Sequence, residues 1–172
     1  MFKLWRATRR GERIAHEAST MAMQIVNDLL RDGADVRASD TASIVREAFA
    51  FYSTMSLADW MNDLHRGQMV VHGSEVLKRW LDEVSLTSAS PEARTEVLSN
   101  FSESLIAYWK EWLGELVDEN PEMRGLPEFL DPAIERLVRR LGVFLHARFP
   151  EQTLARDVIL HHIRTMGYVF QA

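Results

Sequence analysis

A short stretch in the second half of the chain is rich in acidic side chains, and their spacing suggests that they could bind a metal ion. They are Glu111, Glu115, Asp118, Glu119 and Glu122. Carboxylates one helical turn apart can share a hard divalent cation, which can then hold phosphate oxygens. The alternative is a solvated acidic helix face, because charge runs of this kind usually form one.

Glu115 and Asp118 are spaced like half of a known carboxylate pattern, so this stretch resembles part of the site of all-helical, magnesium-dependent nucleotide pyrophosphohydrolases. The resemblance implies a divalent-metal-dependent phosphohydrolase that uses Glu111, Glu115 and Asp118. The other half of that pattern, two adjacent glutamates with a third one turn on, is absent from the sequence. The acids would also lie at a helix C-terminus, where the macrodipole disfavours negative charge. We therefore rank this hypothesis third and expect no nucleotide hydrolysis.

Histidines offer weaker signals for metal binding or catalysis. Two acid–histidine pairs are four residues apart and can meet on one helix face: Glu12 with His16, and Asp157 with His161. Surface ion pairs explain this spacing, and the Glu-x-x-His motif of di-iron helical bundles does not occur. No serine has a Gly-x-Ser-x-Gly setting either. The sequence predicts no catalytic residue and no metal ligand, and it leaves any cofactor unknown.

The most distinctive charge pattern is basic and lies at the start of the chain. Its members are Lys3, Arg6, Arg9, Arg10 and Arg13. The intervals of three, four and three place four of them on one helical stripe, with Arg9 beside it. Such a stripe suits an anionic surface of a protein, a lipid leaflet or a nucleic acid. The alternative is the solvated face of a packed helix that pairs with an acidic patch of the same chain.

The overall charge narrows the choice of partner. The chain has a formal net charge of −5, whereas general nucleic-acid binding favours a basic domain. We expect a protein partner or a second copy of the chain, with peripheral membrane contact through the N-terminal helix as an alternative. The acids between Glu111 and Glu135 would complement the basic stripe, in the same chain or in a second copy.

Small residues follow another stripe of the same predicted helix. They are Ala7, Gly11, Ala15, Ala18 and Ala22. A glycine inside a helix costs about 1 kcal/mol relative to alanine, and close packing of a second helix can offset that cost. The partner helix belongs either to this chain, which we favour, or to a second copy.

Aromatic residues near the acidic stretch form a further candidate site. Tyr108, Trp109 and Trp112 together span a wide arc of a helix, so they cannot all point at the centre of one bundle. Aromatic residues at helical spacing usually belong to a core. We nevertheless expect at least one of these three to line an inter-helical pocket or an interface.

Helical periodicity runs through almost the whole sequence and predicts an all-α fold, a compact bundle of about six helices. The length of 172 residues suits a single domain over residues 1–172. The predicted helix starts are Leu4, Asp40, Ser74, Ser90-Pro91, Asp131-Pro132 and Pro150. Gly33, Gly67 and Pro121 are predicted to end the first, second and fourth helices.

Composition sets the remaining expectations. The chain has no cysteine and no apolar run long enough for a transmembrane segment, and we expect a cytoplasmic protein. The leading hypothesis is a non-enzymatic helical interaction protein, an adaptor, regulator or chaperone-like binder, acting through surface helices and as a homodimer. The second hypothesis is a small-molecule or cofactor sensor with an inter-helical pocket.

Overall fold

The fold is all-α, as predicted. The computed structural model describes residues 2–31, 36–60, 66–113, 127–144, 157–158 and 161. Within these ranges the chain forms helices and no strand. The helices are α1 (Phe2–Arg31), α2 (Ala38–Trp60), α3 (Arg66–Ser85), α4 (Pro91–Leu113) and α5 (Pro127–Gly142).

The described ranges contain five helices rather than the predicted six or so. The helix predicted to start at Pro150 falls almost entirely outside the described residues. Only Asp157, Val158 and His161 of that segment are described, and all three are helical. The predicted end of the fourth helix at Pro121 also lies outside the described residues.

Two predicted helix starts are wrong, and a third, predicted near Asp40, is two residues later than the start of α2 at Ala38. Asp40 lies in the first turn of α2, and the backbone amides of Asp40 and Thr41 both donate to the carbonyl of Arg37. Ser74 lies inside α3, which also contains Gly67 in its first turn. Gly67 and Gly73 weaken the helical signal in this segment, which is nevertheless helical in the structure.

The other wrong start is Asp131-Pro132, because α5 already begins at Pro127. Pro127 and Pro132 both suit the first turn of a helix, but the sequence pattern predicted a start at the later proline. The start of α4 is confirmed, since Pro91 is its first residue and the amide of Ala93 donates to Ser90 Oγ at 3.3 Å. This contact is the capping bond expected of an N-cap serine.

The bundle is arranged around α2. This helix lies alongside α1, α4 and α5, while α3 lies alongside α1 and α4. Every residue from Glu47 to Ser56 is buried, so α2 has no solvent face over this stretch. Its large core side chains include Ile44, Phe51, Tyr52 and Met55.

Aromatic stacking fixes how α3 and α4 meet this central helix. The ring of Phe49 on α2 stacks on Trp80 of α3, with centroids 5.3 Å apart, and on Phe101 of α4 at 5.4 Å. Stacked pairs at this distance contribute attraction beyond the area that they bury. No helix of the described residues is long and apolar enough to cross a membrane.

Candidate functional site

The small residues of α1 form a tight contact inside the chain, which we call the small-residue seam (Gly11, Ala15, Ala18 and Ala22). All four are buried. A Cβ atom added at Gly11 would lie 2.7 Å from Cγ1 of Val76 on α3, so only glycine fits this position without movement. The partner of the seam is therefore α3 of the same chain at Gly11, as we favoured, and not a second copy. The side chain of Ala7 lies outside the described residues.

The opposite side of α1 is polar and exposed in the first half of the helix. Arg9, Glu12, Arg13 and His16 all lie at the surface, and the Arg13 guanidinium pairs with Glu17 at 2.7 Å. The backbone of α1 is helical from Phe2 onward, so the first two turns are part of the helix. The predicted stripe also includes Lys3, Arg6 and Arg10, whose side chains lie outside the described residues.

A buried carboxylate joins three helices in what we call the polar junction (Glu47, Ser104, Tyr108 and Arg140). Glu47 on α2 is only 6% exposed. The Tyr108 hydroxyl on α4 donates to Glu47 Oε1 at 2.6 Å, and the Ser104 hydroxyl donates to Oε2 at 3.1 Å. Arg140 of α5 places its Nε 3.6 Å from Oε2. Both carboxylate oxygens thus have donors from the chain itself.

A second arginine of α5 supports this junction from the side. The Arg136 guanidinium lies 5.5 Å from the centre of the Tyr108 ring, within the range of a cation–π contact. Its Nη1 donates to Glu111 Oε1 at 3.2 Å. Glu111 belongs to the third-ranked hypothesis of a cation-binding acidic face, and in the structure its carboxylate joins α4 to α5.

The electrostatics of the junction keep Tyr108 protonated. Burial raises the pKa of the Tyr108 hydroxyl well above its usual value, and the negative charge and hydrogen bond of Glu47 raise it further. The positive charges of Arg136 and Arg140 act in the opposite direction. A protonated Tyr108 is the state that can donate to Glu47, so the charge pattern and the hydrogen bond agree.

Sequence reasoning missed Glu47 altogether. The signal that could have revealed it is positional, because Glu47 lies three residues after Ile44 and four before Phe51, both of which are core residues. An acid at such a position must be bonded when it is buried. Ser104 and Tyr108 are four apart on α4 and supply those bonds from one helix face.

Other buried hydroxyl groups on α2 have no bonding partner among the described residues. Tyr52, Ser53 and Ser56 are all buried, and their hydroxyl oxygens make no hydrogen bond to any part of the chain that the structure describes. Thr54, between them, donates to the carbonyl of Ala50 at 2.9 Å. Burial raises the pKa of Tyr52, and the nearby negative charge of Asp28 adds to the rise.

The remaining predicted site residues lie only partly within the described residues. Tyr108 is fully buried in the junction, Trp109 is partly buried against the core, and the side chain of Trp112 lies outside the described residues. Glu115, Asp118, Glu119 and Glu122 also lie outside them. In the part of the chain that the structure describes, no three histidine or acidic side chains are grouped so as to hold a metal ion.

No known protein family, curated protein or solved structure is significantly similar to this chain.

Proposed function

We propose that the protein is a helical interaction protein that binds an acidic protein surface through the outer face of α1. The observation that carries the proposal is the division of α1 into two sides. One side holds the small-residue seam, and the other presents arginines along an exposed helix.

The seam supports this function because it makes α1 a rigid platform. Gly11 lets the backbone of α1 approach Val76 closely, and Ala15, Ala18 and Ala22 are completely buried behind the exposed face. Binding to a pre-organised helix avoids the entropy cost of ordering a flexible segment. A rigid row of positive charge is also effective in steering an acidic partner toward the site.

The helix neighbours of α1 and the pairing of Glu111 support an intermolecular partner. Helix α1 lies alongside α2 and α3, whereas α5 lies alongside α2 and α4. The acidic stretch begins at Glu111 near the end of α4, and Glu111 is already paired with Arg136. Among the described residues, Glu111 is therefore already engaged by α5, and we propose that the acidic partner of α1 belongs to another molecule.

A binding assay with three anionic probes tests the proposal. The probes are a fluorescent hexaglutamate peptide, duplex DNA and phosphatidylserine vesicles. We expect the peptide to bind at low salt and to dissociate as salt rises, because exposed charges are screened over roughly 10 Å at 0.1 M. Arg9→Glu combined with Arg13→Glu should weaken this binding about tenfold or more.

Arg79→Glu combined with Arg139→Glu is the matched control, since both residues are exposed arginines on other helices. Arg79 also resembles Arg13 in pairing with an acid four residues later, Glu83. The control should bind the peptide like the wild type. Equal losses in both variants, or binding to DNA or vesicles in preference to the peptide, would refute the proposal.

The unpartnered hydroxyl groups of α2 favour a second candidate, a sensor of a small polar molecule. Tyr52, Ser53 and Ser56 fall within about 100° of arc on one helix, so their hydroxyls offer several hydrogen bonds on one side. Native mass spectrometry of the purified protein would detect a retained molecule. A bound mass that disappears in Tyr52→Phe would support this candidate, and a bare wild-type protein would count against it.

A further inference from the structure

We draw no further inference here: the strongest candidate, the cluster of buried hydroxyl groups of Tyr52, Ser53 and Ser56 on α2, belongs to the sensor site already proposed, and nothing in the part of the chain that the structure describes shows what would bind there.

Discussion

The small-residue seam and the polar junction join helices by opposite physical means. At the seam, Gly11 removes a side chain so that α1 and α3 can approach, and no polar group is involved in that contact. At the junction, α2, α4 and α5 meet around a buried carboxylate whose oxygens are bonded by Tyr108 and Ser104. The small-residue seam depends on the close fit of two helices, whereas the polar junction depends on every hydrogen-bond donor to Glu47 being present.

This difference determines which substitutions and solution conditions each region tolerates. A close-packed apolar contact is sensitive to added volume but hardly to salt or pH. A buried charge is sensitive to the loss of any one partner, because the remaining group is left desolvated and unpaired. The two regions should therefore respond to different substitutions, and the following predictions separate them.

The largest effect should come from removing the carboxylate of the junction. Glu47→Ala leaves the Tyr108 and Ser104 hydroxyls without their acceptor and opens space beside them. We expect the free energy of unfolding to fall by about 3 to 5 kcal/mol in urea titration. Glu103→Ala, an exposed glutamate on α4, is the control and should stay within about 0.5 kcal/mol of the wild type. A change below about 1 kcal/mol for Glu47→Ala would show that the junction is not a stabilising contact.

The next effect concerns the seam. Gly11→Leu forces atoms into the space of Val76 and should destabilise the protein by about 3 kcal/mol, equally at low and high salt. Gly142→Ala is the matched control, because a Cβ at Gly142 meets nothing within 4 Å. That variant should be neutral or slightly stabilising, since alanine favours the helix. Thermal melting at two salt concentrations measures both, and a marked salt dependence for Gly11→Leu would contradict a purely steric seam.

The hydroxyl groups of two buried tyrosines should differ in how much each stabilises the protein. Tyr108→Phe leaves Glu47 without its shortest hydrogen bond and should cost about 2 kcal/mol. Tyr52→Phe removes a hydroxyl that has no partner, so it should be neutral or stabilising. Chemical denaturation of the two variants side by side gives the difference directly. A loss of stability in Tyr52→Phe similar to that in Tyr108→Phe would mean that the Tyr52 hydroxyl is bonded, as the sensor candidate requires.

The smallest expected effect is the change in protein stability with pH that comes from ionisation of these two tyrosines. Burial raises the pKa of both Tyr52 and Tyr108 above the value of about 10 that they have when unfolded. The unfolded chain loses these protons first, so their contribution to stability is complete below pH 10 and declines as the pH rises further. Ultraviolet titration of phenolate should show two of the three tyrosines ionising only when the protein unfolds. Ionisation of all three near pH 10 in the folded protein would contradict the burial.

Local patterns determined a large part of this fold before any tertiary contact was known. The three-and-four spacing along α1 identified its buried side, because a regular helix places such residues on one stripe. Ser90 and Pro91 defined the start of α4 through a capping bond that depends only on nearby residues. Gly11 was recognisable as a close-packing position from its cost in a helix.

Tertiary structure decided what no local pattern contains. Glu47 acquires its role only because α4 brings Ser104 and Tyr108 to it from more than fifty residues away. Helix α3 begins at Arg66 although Gly67 and Gly73 locally disfavour a helix. Glu111, which sequence spacing grouped with acids on its own helix, pairs instead with Arg136 on α5. Periodicity reports which face of a helix is buried, but the identity of the neighbour across that face depends on how the helices are arranged in space.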